Sequence, residues 1–385
     1  MNENKAVPNI RFNGFEDVWE SMKFKNILNY ERPDKYIVKS DNYSNNGIPV
    51  LTANKSFILG YTIESGFYEK SLPIIIFDDF TLDCKLVKFP FKIKSSAIKI
   101  LSSNNFSDIW FDFYLLKATS FIKEGHARHY ISIVQNKKIN VPSEQEQQKI
   151  GNLFAKLDKL LDLQQQKIDK LELLKKTLLQ MLFPKYDKNI PDVRFRGFYD
   201  KWEKITFSEI GTVTTGNTPS TKQTRYYSKM GTPWITPSNI DKNGKLYNLK
   251  YLSKEGAKIG RIVPAGSVLV TSIASIGKNT LLKKDSAFNQ QINAITPKKK
   301  YDSYFLYSAC NLVSKEMKNT ASAGTMQIVN KKEFSRMVIK CPLLSEQQKI
   351  GNLLSKIDQL IELENKKLQN FQQVKKCLLQ NMFVD

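Results

Sequence analysis

From Ile150 onward, apolar residues return at alternating steps of four and three: Phe154, Leu157, Leu161, then Ile168 and Leu171, then Leu178 and Leu182. That is the seam of a heptad helix, broken at two layers by Gln164 and Lys175. A second series follows at the same spacing: Ile350, Leu354, Ile357, Ile361, Leu368, Phe371, Leu378 and Met382, with Glu364 and Lys375 in the same two layers. Residues 146–183 and 346–383 are identical at 19 of 38 positions, and both open with EQQKIGNL. The spacing predicts two long helices of roughly 60 Å each. Ser143 with Glu146 three residues on reads as a capping box, and Ser345 with Gln348 as its counterpart. Polar seam layers cost stability but fix register and partner. An antiparallel pairing brings residues near 164 to 368–375, where Gln164 or Glu364 can meet a lysine. A parallel pairing sets Lys175 beside Lys375, a like-charge clash. Leu153, Leu160 and Leu174 widen the stripe, so each helix is expected to touch more than one neighbour.

Outside the helices the period changes. Residues 48–51, 57–59 and 74–77 read as strands, as do 234–236, 267–271 and 337–339. Asn45-Asn46-Gly47 reads as a turn and 106–118 as a helix. Helical patterns do not alternate regularly with strands, so each half is α+β rather than a βαβ array. Each half opens with the same phrase, PNIRFNGFEDVWE at 8–20 and PDVRFRGFYDKWE at 191–203. Its Phe12, Phe15 and Trp19 match Phe195, Phe198 and Trp202, a packing motif that seats the start of each half. Pro184 ends the first long helix. The expected layout is a strand-rich domain at 1–142, a helix at 143–183, a linker at 184–190, a second strand-rich domain at 191–342 and a C-terminal helix at 343–385.

Charge narrows the function. Lys plus Arg is 59 against 37 acids, a net of +22. Nucleic acid is the polyanion that best rewards such a surface, through phosphate neutralisation and counterion release. No basic amphipathic anchor stands out, and apolar runs such as 72–77 are strand-sized, so no membrane role is expected. The opening MNENKAVPNIRF has no apolar run behind its charges, so no signal peptide is expected. Four scattered cysteines without a CxxC pair argue against a disulfide framework or a zinc site and read as incidental cysteines of a reducing cytoplasm.

Catalytic patterns are mostly missing. There is no GxxxxGK[ST] or GxGxxG, nor an Asn/Asp-Pro-Pro-aromatic tetrapeptide of the kind amino-methyltransferases use. His126 and His129, in EGHARHY, lack a third metal ligand and read as a loop that reaches phosphate through Arg128. Asp78-Asp79 followed by Asp83-Cys84-Lys85 is the nearest approach to a magnesium-dependent nuclease. Its separation is short, and a strand-turn-strand with solvated acids explains it. A stand-alone nuclease using Asp79, Asp83 and Lys85 is the alternative function, with a coiled-coil adaptor that has no DNA role as another. No catalytic residue, metal ligand or bound cofactor is expected in the chain itself.

Recognition remains. Asn, Gln, Ser, Thr, Arg and Lys in loops between strands read base edges and phosphates. The first half offers Asn54, Lys55, Lys85, Lys88, Arg128 and His129. The second offers Thr218, Ser220, Lys222, Arg225, Ser238, Asn239, Lys278, Gln290 and Gln327. Taken singly, each is an ordinary turn or surface residue, and the set carries the reading.

These residues match a known layout. TGNTPS, GTPWITPSNI, LSKEGAKIGRIVPAGSVLVTSIASIGK, the FNQQINAITP stretch, AGTMQIVNKKEF and CPLLSEQQKIGNLL resemble the specificity subunit of type I restriction-modification systems, as do the two EQQKI helix starts. In the first half GIPVLTANKSFILGY loosely parallels GTPWITPSNI, and no counterpart of TGNTPS is visible. The resemblance implies two target-recognition domains, separated by two long antiparallel helices in a pseudo-twofold internal repeat. Each domain would read one half of a split double-stranded DNA target. The helices would act as ruler and dock for two methyltransferase subunits carrying S-adenosylmethionine, with a restriction/translocase subunit completing the complex. The seam residues named above are the candidate docking residues. Two readers entering the major groove from one face would set half-site centres roughly 34–36 Å apart.

Overall fold

The computed structural model describes residues 7–384 except 54–55, 123–127, 186, 274 and 323–327. It divides into two compact units, residues 1–166 with 366–385 and residues 167–365. Asn54, Lys55, His126 and Gln327 therefore lie outside the described residues.

In the first unit the chain forms β1 (Glu20–Lys23), β2 (Leu28–Glu31), β3 (Ile48–Leu51), β4 (Ile58–Thr62), β5 (Ile74–Asp78), β6 (Cys84–Val87), β7 (Lys92–Ile93), β8 (Ile98–Ser103), α1 (Ile109–Ala118) and β9 (Lys138–Val141), before α2 (Glu144–Met181) begins. An antiparallel sheet in the order β2-β8-β5-β6 is the middle layer. The run Ile74-Ile75-Ile76-Phe77 is apolar without alternation because both faces of β5 are covered. Ile74 and Ile76 pack towards a smaller sheet, β4-β3-β7, whose β3 and β7 run parallel. Ile75 and Phe77 pack the other way, with α1 and the first turns of α2. Asp108 caps α1 by accepting from the Trp110 and Phe111 N–H groups.

The second unit holds β10 (Glu203–Thr206), α3 (Phe207–Ile210), β11 (Gly211–Thr215), β12 (Tyr227–Ser228), β13 (Thr232–Ile235), β14 (Lys250–Leu252), α4 (Lys254–Ile259), β15 (Ile262–Val263), β16 (Val268–Thr271), β17 (Asn279–Leu281), β18 (Ser286–Phe288), β19 (Ile292–Pro297), α5 (Ser303–Ser322), α6 (Lys331–Arg336), β20 (Val338–Cys341) and α7 (Leu344–Asn381). Its middle sheet, β11-β19-β16-β17, has the topology of β2-β8-β5-β6. Its second sheet repeats β4-β3-β7 as β14-β13-β18, parallel pair included, and adds β12 and β15 at the edges. The ribbon β10–β20 corresponds to β1–β9. Topology thus aligns GIPVL with GTPWI. It also supplies the counterpart of TGNTPS that the sequence hides: Arg32-Pro33-Asp34, which follows β2 as TGNTPS follows β11.

Both long helices have 38 residues, about 57 Å at the α-helical rise. Every seam position is buried or half-buried. In the first unit Asp158 pairs with Lys375 while Phe154 meets Phe383, ring centroids 5.7 Å apart. In the second, Lys167 bonds Glu364 at 2.8 Å and Lys175 pairs with Asp358 at 2.7 Å. In each unit the partner numbers run in opposite directions, so the helix segments pair antiparallel. The lysines of the polar layers are neutralised by Asp158 and Asp358, which flank the seam, and Glu364 takes Lys167 rather than a lysine at 368–375.

The helix starts differ from the expected capping boxes. Glu146 does not reach back to Ser143, because Arg11 donates to both of its carboxylate oxygens, each at 2.8 Å. Arg194 does the same to Glu346 at 2.7 and 2.8 Å. Ser345 lies inside α7, one residue past its start, and so is no cap. The repeated opening phrase does seat each unit: Trp19 and Trp202 are core residues, while Lys149 and Lys349 lie over the rings of Phe15 and Phe198.

Candidate nucleic-acid interface

Parallel strands send their C-terminal ends, and the loops that follow, to one edge. In the second unit β13 and β18 pair as Ile235 with Phe288, and Asn289 N–H donates to Ile235 O at 2.9 Å. The loop Thr236-Pro237-Ser238-Asn239 therefore lies beside Asn289-Gln290-Gln291. The loop after β11 joins them: Asn217 N–H donates to Phe288 O, and Thr218 Oγ1 donates to Gln290 Oε1 at 2.5 Å. Gly216 is required there, since a Cβ would fall 2.2 Å from the carbonyl oxygens of Phe288 and Asn289. Asn217 is the hub. It accepts from Arg261 N–H and donates to Ile259 O, while its carbonyl accepts from the Trp234 indole. Ser272 N–H donates to Gln291 O, which brings up the turn before β17 that carries Lys278.

The first unit has the same edge with other residues. Lys94 N–H donates to Leu51 O, the equivalent of the Asn289 contact. Lys94-Ser95-Ser96 therefore occupies the position of Asn289-Gln290-Gln291. Arg128 reaches Ser96 Oγ at 3.4 Å, and Lys94 pairs with Asp41 beside the Tyr43 ring. Sequence reading passed over Arg32, Lys94, Ser95, Ser96 and Arg261. Neither the two-residue β7 nor the residues around it carry a pattern that would have flagged them.

Several candidates turn out to be structural. His129 is fully buried, with Nδ1 2.9 Å from Asp79 O, and cannot reach phosphate. Asn239 is buried: it accepts from Thr236 N–H and Oγ1 and donates to the carbonyls of Tyr247 and Asn248, closing its own loop. Lys88 follows the far end of β6, away from the loop edge, with its ammonium 4.3 Å from the Trp110 ring centroid. Lys85 is half-buried opposite Ile76. Thr218, Ser238 and Gln290 are exposed at the loop edge, with Lys278 half-buried beside them. Ser220, Lys222 and Arg225 are exposed on the segment running to β12, where Arg225 stacks on Tyr226. The nuclease arrangement does not form. Asp79 is buried, paired with Lys99 at 3.2 Å and accepting from Tyr130 N–H at 2.7 Å, so its carboxylate is committed within the fold.

Two frames of the same topology, each holding a different set of loops, are joined by a repeated helix. The family model for the type I restriction modification DNA specificity domain matches twice, over residues 16–173 and 199–373. The chain belongs to the type I restriction-modification specificity subunits. The specificity subunit of the EcoR124I/EcoR124II type I restriction enzyme from Escherichia coli is 31% identical over 365 residues, covering 90% of this chain and 88% of that one. The crystal structure of the S subunit of a type I restriction-modification system from M. genitalium superposes with a TM-score of 0.72 at 15% identity, covering 98% and 99% of the two chains. A chain from a study of complex assembly and conformational transition in the type I system reaches 0.54 at 17% identity, covering 94% and 96%. At these identities the two structures support the fold.

For a specificity subunit the seam is the wrong place to look for docking residues. Ile150, Phe154, Leu157, Leu161, Ile168 and Leu171 are turned inward or half-buried, as are Ile350, Leu354, Ile357, Ile361, Leu368 and Phe371. Ile150, Phe154 and Leu157 are part of the core around α1, and Ile350 and Leu354 of the core around α5. The exposed large apolar side chains are Leu160, Leu163, Leu173, Leu174 and Met181 on α2 and Leu360, Leu363 and Val374 on α7, of which Leu160, Leu163 and Leu174 share repeat positions with the three on α7. Among the described residues no helix is long and apolar enough to cross a membrane.

Proposed function

We propose that this specificity subunit reads a split, gapped DNA target, one loop edge to each half-site. The observation that carries this reading is the pair of frames with matching topology and different loop residues. Thr218, Ser238 and Gln290 are the base-reading candidates of the second edge and Ser95 and Ser96 those of the first, where Lys94 and Arg128 stand beside them for phosphate. Hydroxyls and amides supply the base contacts, while lysine and arginine supply phosphate contacts. The exposed leucines of α2 and α7 dock two methyltransferase subunits, one per repeat, and a restriction/translocase subunit completes the assembly. Methyl transfer and cleavage belong to those partners, and S-adenosylmethionine is bound by the methyltransferase rather than by this chain. The complex acts on DNA in the cytoplasm.

The test is an exchange. Residues 191–342 are replaced by the corresponding domain of another specificity subunit, and the methylome is sequenced in a host that also expresses the cognate methyltransferase. One half of the methylated motif should change while the other half and the gap stay. If both halves change together, each unit does not read its own half-site.

A further inference from the structure

In each unit one aspartate joins three helices. Asp158 of α2 accepts from the Tyr114 hydroxyl of α1 at 2.5 Å and pairs with Lys375 of α7. Asp358 of α7 accepts from the Tyr304 hydroxyl of α5 and pairs with Lys175 of α2 at 2.7 Å. Lys375 also lies 4.9 Å from the centre of the Tyr114 ring. Burial first, and the aspartate second, hold both phenols far above their usual pKa, so each stays a hydrogen-bond donor.

Duplication alone does not account for the pair. Asp158 with Asp358 and Lys175 with Lys375 are repeat partners, but the tyrosines are not. Asp108 and Asp302 make equivalent contacts, each with its backbone N–H directed at the glutamine of EQQKI. Tyr114 lies six residues beyond Asp108, whereas Tyr304 lies two beyond Asp302. Two different positions on two dissimilar helices thus deliver a hydroxyl to the same carboxylate.

The bridge is set apart from the loop edge. β8 starts at that edge, and α1 begins beyond its far end. Apolar seam contacts are non-directional and tolerate small slides, whereas hydrogen bonds and ion pairs to one carboxylate do not. We propose that the Tyr–Asp–Lys bridge fixes the attitude of each recognition domain on the helix pair, and so limits the number of base pairs tolerated between the half-sites. Tyr114, Asp158, Lys375 and their counterparts Tyr304, Asp358 and Lys175 are positioning residues. The inference rests on the two-half-site reading above.

The experiment uses the assembled methyltransferase complex and duplexes with fixed half-sites and gaps from two base pairs short to two long. Asp158→Asn keeps an acceptor for Tyr114 but removes the ion pair, and Tyr114→Phe removes a single hydroxyl. With either change, methylation at neighbouring gaps should rise at least about tenfold relative to the preferred gap, ~1.4 kcal/mol of lost discrimination. The half-site sequences should not change. If Asp158→Asn does not melt cooperatively, Tyr114→Phe carries the test by itself. An unchanged gap profile, or an equal fall at every gap, would assign the bridge a purely structural role and overturn the proposal. If the unaltered complex shows no paired half-sites, the two-half-site reading fails, and the bridge proposal fails with it.

Discussion

Single residues explain why EQQKIGNL stands unchanged in both helices. Glu146 anchors Arg11, and Gln147 accepts from the Asp108 N–H and donates to Pro142 O. Gly151 lets the cap of α1 approach the helix, since a Cβ there would fall 2.0 Å from Asp108 Oδ1; at Gly351 it would fall 2.3 Å from Asp302 Oδ1. The string is a joint between the recognition domain and the long helix, which its helical period alone does not reveal. One buried acid near that joint has no counterpart in the second unit. Asp112 is fully buried and accepts from Ser103 and Ser107, and burial, the largest cause, raises its pKa to about 7. A carboxyl whose folded pKa lies above its unfolded value binds its proton more tightly in the folded state. Its stabilising contribution is therefore full below the unfolded pKa and is lost as pH rises towards 7. Urea unfolding of Asp112→Asn should show the variant gaining on the unaltered protein by about 2–3 kcal/mol between pH 5 and 8. Parallel pH profiles would show that Asp112 does not titrate in that window.

At the scale of elements, the heptad period was legible because both polar layers kept their place in the repeat. Its electrostatic solution was not, because Asp158 and Asp358 flank the seam and a one-dimensional pattern does not show which lysine faces them. Strands with continuous apolar runs, such as β5, were also legible. The parallel pairs β3–β7 and β13–β18 were not, since each rests on two or three residues separated by tens of positions. That is why the loop edge of the first unit, with Lys94 and Arg32, is not legible in the sequence, while Lys88, which does follow a strand, lies at the other end of β6. The helices carry a prediction of their own. Leu160 is 46% and Leu163 51% exposed, so neither supports the seam. Leu160→Ser with Leu163→Ser should leave the thermal midpoint of the chain nearly unchanged. Full burial of a leucine is worth ~1.5–3 kcal/mol and these two are about half exposed, so affinity for the methyltransferase should fall roughly ten- to a hundredfold. Isothermal titration at matched temperature reads both partners directly. An unchanged affinity would move docking off this face.

For the whole molecule, the proposed reading draws affinity and discrimination from different atoms. The exposed base-reading candidates of the second loop edge, Thr218, Ser238 and Gln290, are neutral, whereas the chain carries a net charge of +22. Neutral hydroxyls and amides release no counterions, so they discriminate without contributing to the salt dependence. Lysines and arginines that reach phosphates do the reverse. Binding of the assembled complex should therefore weaken steeply between 50 and 200 mM salt, by roughly a thousandfold or more if ~6–10 phosphates are neutralised. Specific and scrambled duplexes should give parallel lines of log affinity against log salt, offset by the discrimination energy. Gln290→Ala should narrow that offset by about 1–3 kcal/mol at one half-site and leave the slope alone. Lys222→Ala should do the opposite, lowering the slope by about one and weakening both duplexes alike. Fluorescence anisotropy over a salt series separates the two effects. If Gln290→Ala changes the slope, or if Lys222→Ala narrows the offset, reading and holding are not divided between these residues as the loop edge suggests.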